Sequence, residues 1–170
     1  MNILLDTQIA LWALTDSPRL SVKAREWIMD AGNTVFFSAA SVWEIAIKHK
    51  LARGDMPVSG AEAARLFREA GYMELPVTAL HAAATENLPA HHADPFDRIL
   101  VAQAMQEPLR LLTHDRQLIS YGDWVEFASS LLPSSHYSNQ TTAICLEWHF
   151  LFSLSAPSSA IFAPLIAKCR

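Results

Sequence analysis

At 170 residues, of which 51% are hydrophobic and 18% charged, the chain suits one globular domain with or without a short appendage, and it is no disordered polymer. Its two cysteines, Cys145 and Cys169, form no C-x-x-C pair, which argues against a thiolate zinc site or a disulfide scaffold and for a reducing compartment. A formal net charge of −4 excludes a broad basic surface for nucleic acid, so any such contact must be local or bridged by a metal.

Ile3, Leu4 and Leu5 form a short apolar run that suits a buried strand, and Asp6 ends it. The run lacks a basic n-region and the length of a signal-peptide h-region, which predicts a cytoplasmic protein. Residues 7–14 show helical apolar spacing through Ile9, Ala10, Trp12 and Ala13. Residues 21–31 are amphipathic, with Ser21 as N-cap and Gly32 beyond the end. Residues 34–37, Thr-Val-Phe-Phe, read as a strand. A helix is predicted over 41–51, apolar at Val42, Ile45, Ala46 and Ile47, with Ser41-x-x-Glu44 as a capping box. A helix over 59–70 closes at Gly71, a brief strand follows over 73–77, and 78–86 is helical. A helix over 95–106 precedes strands over 110–113 and 124–127. Strand alternating with helix predicts a three-layer α/β/α domain around a central, mostly parallel sheet of four or five strands.

Composition changes near residue 133. Residues 1–133 form the predicted domain, and in 134–170 only Glu147, Lys168 and Arg170 are charged. The twenty residues 148–167 carry no Asp, Glu, Lys or Arg, long enough for a membrane span, but four Ser, one His and two Pro lower their hydropathy and helicity. The expectation is an extension outside the domain, and no membrane role.

In open parallel sheets ligands bind beyond the carboxyl ends of the strands. Asp6 directly follows the first strand, and Asp115 follows the 110–113 strand by one residue. Glu44 lies in the helix after the second strand, and Asp94 and Asp97 straddle the start of the 95–106 helix. Each acid has an ordinary use alone. Asp6 and Asp115 can cap the turns that follow, Glu44 can pair with Lys48, and Asp94-Pro95-Phe96-Asp97 reads as N-cap, Pro at N1 and acid at N3. Together they would repel one another at one sheet edge unless a divalent cation neutralised them. Hard oxygen ligands with no Cys or His set point to Mg²⁺ or Mn²⁺. His91 and His92 precede Asp94 in a loop, where adjacent side chains point opposite ways and make no metal pair.

Four segments carry a family resemblance: Ile3-Leu4-Leu5-Asp6-Thr7, Ser41-Val42-Trp43-Glu44-Ile45, residues 92–104 containing Asp94-Pro95-Phe96-Asp97-Arg98, and Leu112-Thr113-His114-Asp115. In order and spacing they resemble the motifs of PIN-domain proteins, most closely the VapC-type ribonuclease toxins of bacterial toxin–antitoxin pairs. The resemblance spans about residues 1–128 and implies metal-dependent endonucleolytic cleavage of RNA to 5′-phosphate and 3′-hydroxyl ends. It implies that Asp6, Glu44, Asp97 and Asp115 form the Mg²⁺ or Mn²⁺ site and that Asp94 is a structural cap beside it. It also implies a homodimer held inactive by a cognate antitoxin.

Arg98, Arg116 and Lys48, with Lys50 and Arg53, are candidate phosphate contacts, although solvated faces and helix C-termini are the more ordinary explanation. Thr7, Thr113 and His114 sit beside the acids, and Trp12, Trp27 and Trp43 lie on apolar helix faces that suit core or interface. An aspartyl-nucleophile phosphohydrolase would need an Asp where Gln8 stands, and a receiver domain would need a late Lys where residues 109–116 offer only Arg. No Gly-rich loop supports a P-loop or dinucleotide site. The remaining rival is a catalytically silent PIN-like module that acts by binding a partner protein.

Overall fold

The structure is a computed structural model that describes residues 1–51, 56 and 58–129. The expected boundary at 133, the tail beyond it and Arg53 lie outside the described residues.

Five strands form one sheet: β1 (Asn2–Leu5), β2 (Thr34–Ser38), β3 (Met73–Leu75), β4 (Arg110–Thr113) and β5 (Val125–Phe127), in the order β3-β2-β1-β4-β5. Every pairing is parallel. The chain builds outward from β1 to β3, then crosses back to lay β4 and β5 on the other side. The order therefore reverses at β1, and the gap between β1 and β4 is where such a fold offers a crevice.

The helices are α1 (Thr7–Leu14), α2 (Val22–Met29), α3 (Ala39–Lys50), α4 (Gly60–Glu69), α5 (Ala79–Ala84) and α6 (Pro95–Gln106), with 3₁₀ turns at Thr85–Asn87 and Arg116–Tyr121. Both faces of the sheet are covered, which is why β1 and β4 read as apolar runs rather than alternating ones. Ile3, Leu4 and Leu5 are fully buried. On one face Leu4, Leu111 and Val125 pack with Leu100, Val101 and Ala104 of α6. On the other, Phe37 of β2 meets Phe67 of α4 at 5.0 Å between ring centroids.

Short polar residues start these helices by accepting otherwise unpaired N–H groups. Ser21 accepts from Ala24, and Ser59 from Glu62, each at 3.2 Å. The capping box expected at Ser41 is not formed. The helix begins two residues earlier, at Ala39, because the Ser38 hydroxyl accepts from Ala40 N–H at 3.0 Å. Ser41 thus falls inside α3, where its hydroxyl is buried without a hydrogen-bond partner. A capping box does form at α5, where Thr78 and His81 exchange the two bonds and an imidazole replaces the usual Glu or Gln.

Two contacts set the helices that carry the acids. Gln103 of α6 is fully buried; its carbonyl accepts from Ser38 Oγ at 2.6 Å and its amide donates to Pro76 O at 3.2 Å. It stitches α6 to the carboxyl ends of β2 and β3. Gly60 brings α4 against α3 so closely that a Cβ there would lie 2.8 Å from Ala46 Cβ and 2.9 Å from Val42 O. No helix among the described residues is long and apolar enough to cross a membrane.

Candidate metal centre

An open groove of about 320 Å³ lies at the carboxyl edge of the sheet. Asp6, Glu44, Asp94, Asp97 and Asp115 line it, together with His92. The acids come from the end of β1, from α3, from the start of α6 and from the turn after β4, so their proximity is a product of the parallel topology.

Asp6 is 2% exposed and uses both oxygens. Oδ1 accepts from Ile9 N–H at 2.7 Å and caps α1. Oδ2 accepts from the Thr113 hydroxyl at 2.7 Å, from His114 N–H at 2.9 Å and from His114 Nδ1 at 3.0 Å. The bond to Asp6 pushes the pKa of His114 upward. Glu44 is also buried. One oxygen accepts from the Thr7 hydroxyl at 2.5 Å, and the other pairs with Lys48 one turn along α3.

Asp94 is the N-cap of α6 and accepts from Phe96 N–H at 2.8 Å, with Pro95 following at N1. Asp97 sits in the first turn, facing the groove. Its pKa is pushed up to about 7, chiefly by burial and then by the nearby carboxylates of Asp6, Asp94 and Glu44. Asp115 caps the 3₁₀ turn, with Oδ1 accepting from Gln117 N–H at 2.8 Å while its own N–H donates to Thr113 Oγ1 at 3.0 Å. Thr113 therefore links Asp6 to Asp115.

His92 is the residue that sequence reasoning passed over. Its Nε2 lies 2.9 Å from Asp115 Oδ2, and its Nδ1 lies 3.1 Å from Asp94 N and 3.4 Å from Asp97 Oδ2. The adjacent histidines do diverge: His91 packs edge-on against Tyr121, at 5.1 Å between ring centroids. The divergence sends one of them into the groove.

The sequence matches the PIN domain family over residues 3–123. The chain belongs to the PIN-domain family. A crystal structure of VapBC2 from Rickettsia felis, bound to a DNA fragment from its promoter, is similar in fold: TM-score 0.57, 14% identity, covering 76% of this chain and 100% of that one. The crystal structure of FitAcB from Neisseria gonorrhoeae matches with TM-score 0.44 and 21% identity, over 66% of this chain and 87% of that one. No curated protein matches the sequence.

The donor chemistry of this PIN domain fits a divalent cation. Carboxylate oxygens of Asp97 and Asp115 and a ring nitrogen of His92 all lie within 4.8 Å of one another, and Glu44 and Asp6 line the same groove. A crowd of hard carboxylate oxygens suits Mg²⁺ or Mn²⁺, and a cation would offset both the burial and the carboxylate repulsion that raise Asp97.

The basic residues divide. Lys48 lines the groove through its pair with Glu44. Arg98, expected as a phosphate contact, is placed otherwise. Its guanidinium donates to the carbonyls of Thr85 at 2.6 Å, Pro89 at 3.1 Å, Leu88 at 3.3 Å and His92 at 3.4 Å. With its donors spent on the 85–92 segment, Arg98 is a clamp on that loop. Arg116 lies over the ring of Phe127, 4.7 Å from its centroid. Trp43, expected in core or interface, is 62% exposed, with its edge against Phe96 of the PIN motif.

Proposed function

We propose that this PIN domain is a divalent-metal-dependent endoribonuclease, the toxin of a type II toxin–antitoxin pair. The observation that carries the reading is the convergence of Asp6, Glu44, Asp97 and Asp115, from four separate chain segments, on one groove. Asp6, Glu44, Asp97 and Asp115 would hold Mg²⁺ or Mn²⁺. Such an ion supplies charge neutralisation at the phosphodiester and a lowered pKa for coordinated water.

The chain's own groups prepare that chemistry. Thr113 and the His114 backbone fix the Asp6 carboxylate from the β4 side, and Thr7 fixes Glu44 from α1. Asp94 sets where α6 begins and so aims Asp97. The His114 ring, held on Asp6, is half-exposed at the rim, where its cationic form would meet a phosphate oxygen. Hydrolysis adds water to phosphorus as the P–O3′ bond breaks, leaving a 5′-phosphate and a 3′-hydroxyl. The likeness to VapBC2, an assembly on promoter DNA, supports a cognate antitoxin as partner. The same reading takes the toxin to be a cytoplasmic homodimer.

The test is cleavage of single-stranded RNA by the purified chain with Mg²⁺ or Mn²⁺, with chelator, and with the Asp97→Asn variant. Cleavage should require the metal and fall at least about 100-fold in the variant, the scale on which even outer-shell changes weaken metal sites. A folded wild-type chain that cleaves no RNA with either metal would leave the silent binding module as the better reading.

A further inference from the structure

We propose that His92 is a positioning residue whose Nε2–H aims the Asp115 carboxylate at the metal site, its tautomer being set by the backbone N–H of Asp94. The inference rests on the metal-centre reading above and assigns a role to a side chain outside the four acids.

A neutral imidazole has one N–H and one lone pair, and its surroundings choose which nitrogen carries the proton. Asp94 N–H points at His92 Nδ1 from 3.1 Å. A backbone amide can only donate, so Nδ1 is the acceptor and the proton sits on Nε2. That proton faces Asp115 Oδ2 at 2.9 Å, a normal hydrogen-bond length. Nε2 bearing a proton has no lone pair for a metal, so His92 acts on the ion through Asp115. The Nδ1 lone pair is already taken by Asp94, so Asp97, 3.4 Å away, gains no hydrogen bond from His92 in this tautomer. The Asp97 carboxylate is left to face the groove.

The backbone around His92 is built to hold this geometry. Arg98 donates to four carbonyls of the 85–92 segment, including that of His92 itself at 3.4 Å. The Tyr121 hydroxyl adds a bond to Pro89 O at 3.0 Å. Asp115 is thereby fixed on both oxygens: Oδ1 by Gln117 N–H from its own turn, Oδ2 by His92 from across the groove. Carboxylates that ligate metals are themselves held by outer-shell hydrogen bonds, and here the imidazole supplies that bond. Asp94 thus does two things with one residue, capping α6 with its side chain and setting the imidazole with its amide.

Two measurements test this. The first is long-range ¹H–¹⁵N NMR of the metal-free full chain, with His92 assigned by comparison with His92→Gln. A protonated Nε2 and unprotonated Nδ1, unchanged on adding Mg²⁺, is the expected result; a proton on Nδ1, or loss of the Nε2 proton to Mg²⁺, overturns the proposal. The second is Mn²⁺ affinity read by electron paramagnetic resonance in a double-mutant cycle. His92→Ala should weaken Mn²⁺ by about 10–100-fold in the wild-type background and by less than about threefold in the Asp115→Asn background. His92→Gln, which keeps a donor, should recover part of the loss. Equal losses in both backgrounds would make His92 a ligand in its own right and overturn the assignment. If the wild-type chain binds no Mn²⁺, the metal-centre reading fails, while the tautomer measurement still decides His92.

Discussion

Asp94 and Asp97 stand three residues apart in one motif and are expected to fail differently. Asp94→Ser keeps an oxygen for Phe96 N–H and should retain most of the fold's stability and Mn²⁺ affinity. Asp94→Ala should cost about 0.5–2 kcal/mol in a thermal or denaturant melt. If the serine variant loses Mn²⁺ as completely as Asp97→Asn while melting like wild type, Asp94 is a ligand rather than a cap. Asp97 has a pH signature as well. Its pKa is raised from 3.8 to about 7, so the folded state disfavours its ionised form. Stability is therefore lost as pH rises from about 4 to 7, and Asp97→Asn should remove that loss. With solvent screening allowed for, the metal-free variant should exceed wild type by about 1–2 kcal/mol at pH 8 and match it near pH 4. A variant less stable than wild type at pH 8 would contradict this. Asp6→Asn should behave oppositely, because an amide in place of Oδ2 would face the donors Thr113, His114 N–H and His114 Nδ1. Asp6, Asp94, Asp97 and Asp115 were visible in the sequence because each follows a strand or opens a helix, and Glu44 because it lies in the helix after the second strand. His92 was not, because its contact with Asp115 spans 23 residues and depends on how Arg98 folds the 85–92 loop that ends at His92.

The elements themselves were read closely where local signals agreed. The 95–106 helix matches α6 at both ends because Asp94 and Pro95 fix its start. The start of α3 was misplaced because two serines could cap it, and the choice of Ser38 involves Gln103, 65 residues away. The close approach of α4 to α3 left no mark beyond a glycine at the first residue of a helix. Gly60 nevertheless governs where Glu44 sits, since its contacts are with Val42 and Ala46 on either side of it. Gly60→Ala should cost about 1–3 kcal/mol through overpacking, despite alanine's better helix propensity. Mn²⁺ affinity should fall as α3 shifts. A melt at or above the wild-type temperature would show that the two helices part without cost.

The described residues build an all-parallel sheet with its first strand in the middle, and the order β3-β2-β1-β4-β5 gathers the acids. Strand alternating with helix made that class legible; which side of β1 each later strand takes was not written in local pattern. A chain ending at 133 keeps every described strand, helix and groove residue. It should melt at the same temperature as the full chain and bind Mn²⁺ equally, by circular dichroism and paramagnetic resonance. Aggregation or a lowered melting temperature would show that the last residues complete the core. A chain ending at 109 lacks β4 and Asp115 and should show no cooperative melt at all.

The bond from Thr113 to Asp6 joins residues 107 positions apart. On a ribosome adding about 5–20 residues per second, the first of these leaves the peptidyl-transferase centre roughly 5–20 s before the second is made. Throughout that interval the nascent chain carries Asp6, Glu44 and, late on, Asp97, but has no β4 to draw them together. A message cut or a ribosome stalled before Arg110 is added would leave a chain with at most three of the four acids and no assembled centre. The order of strands thus works as a clock: a cell making this protein meets the finished groove only once nearly the whole described domain has been synthesised.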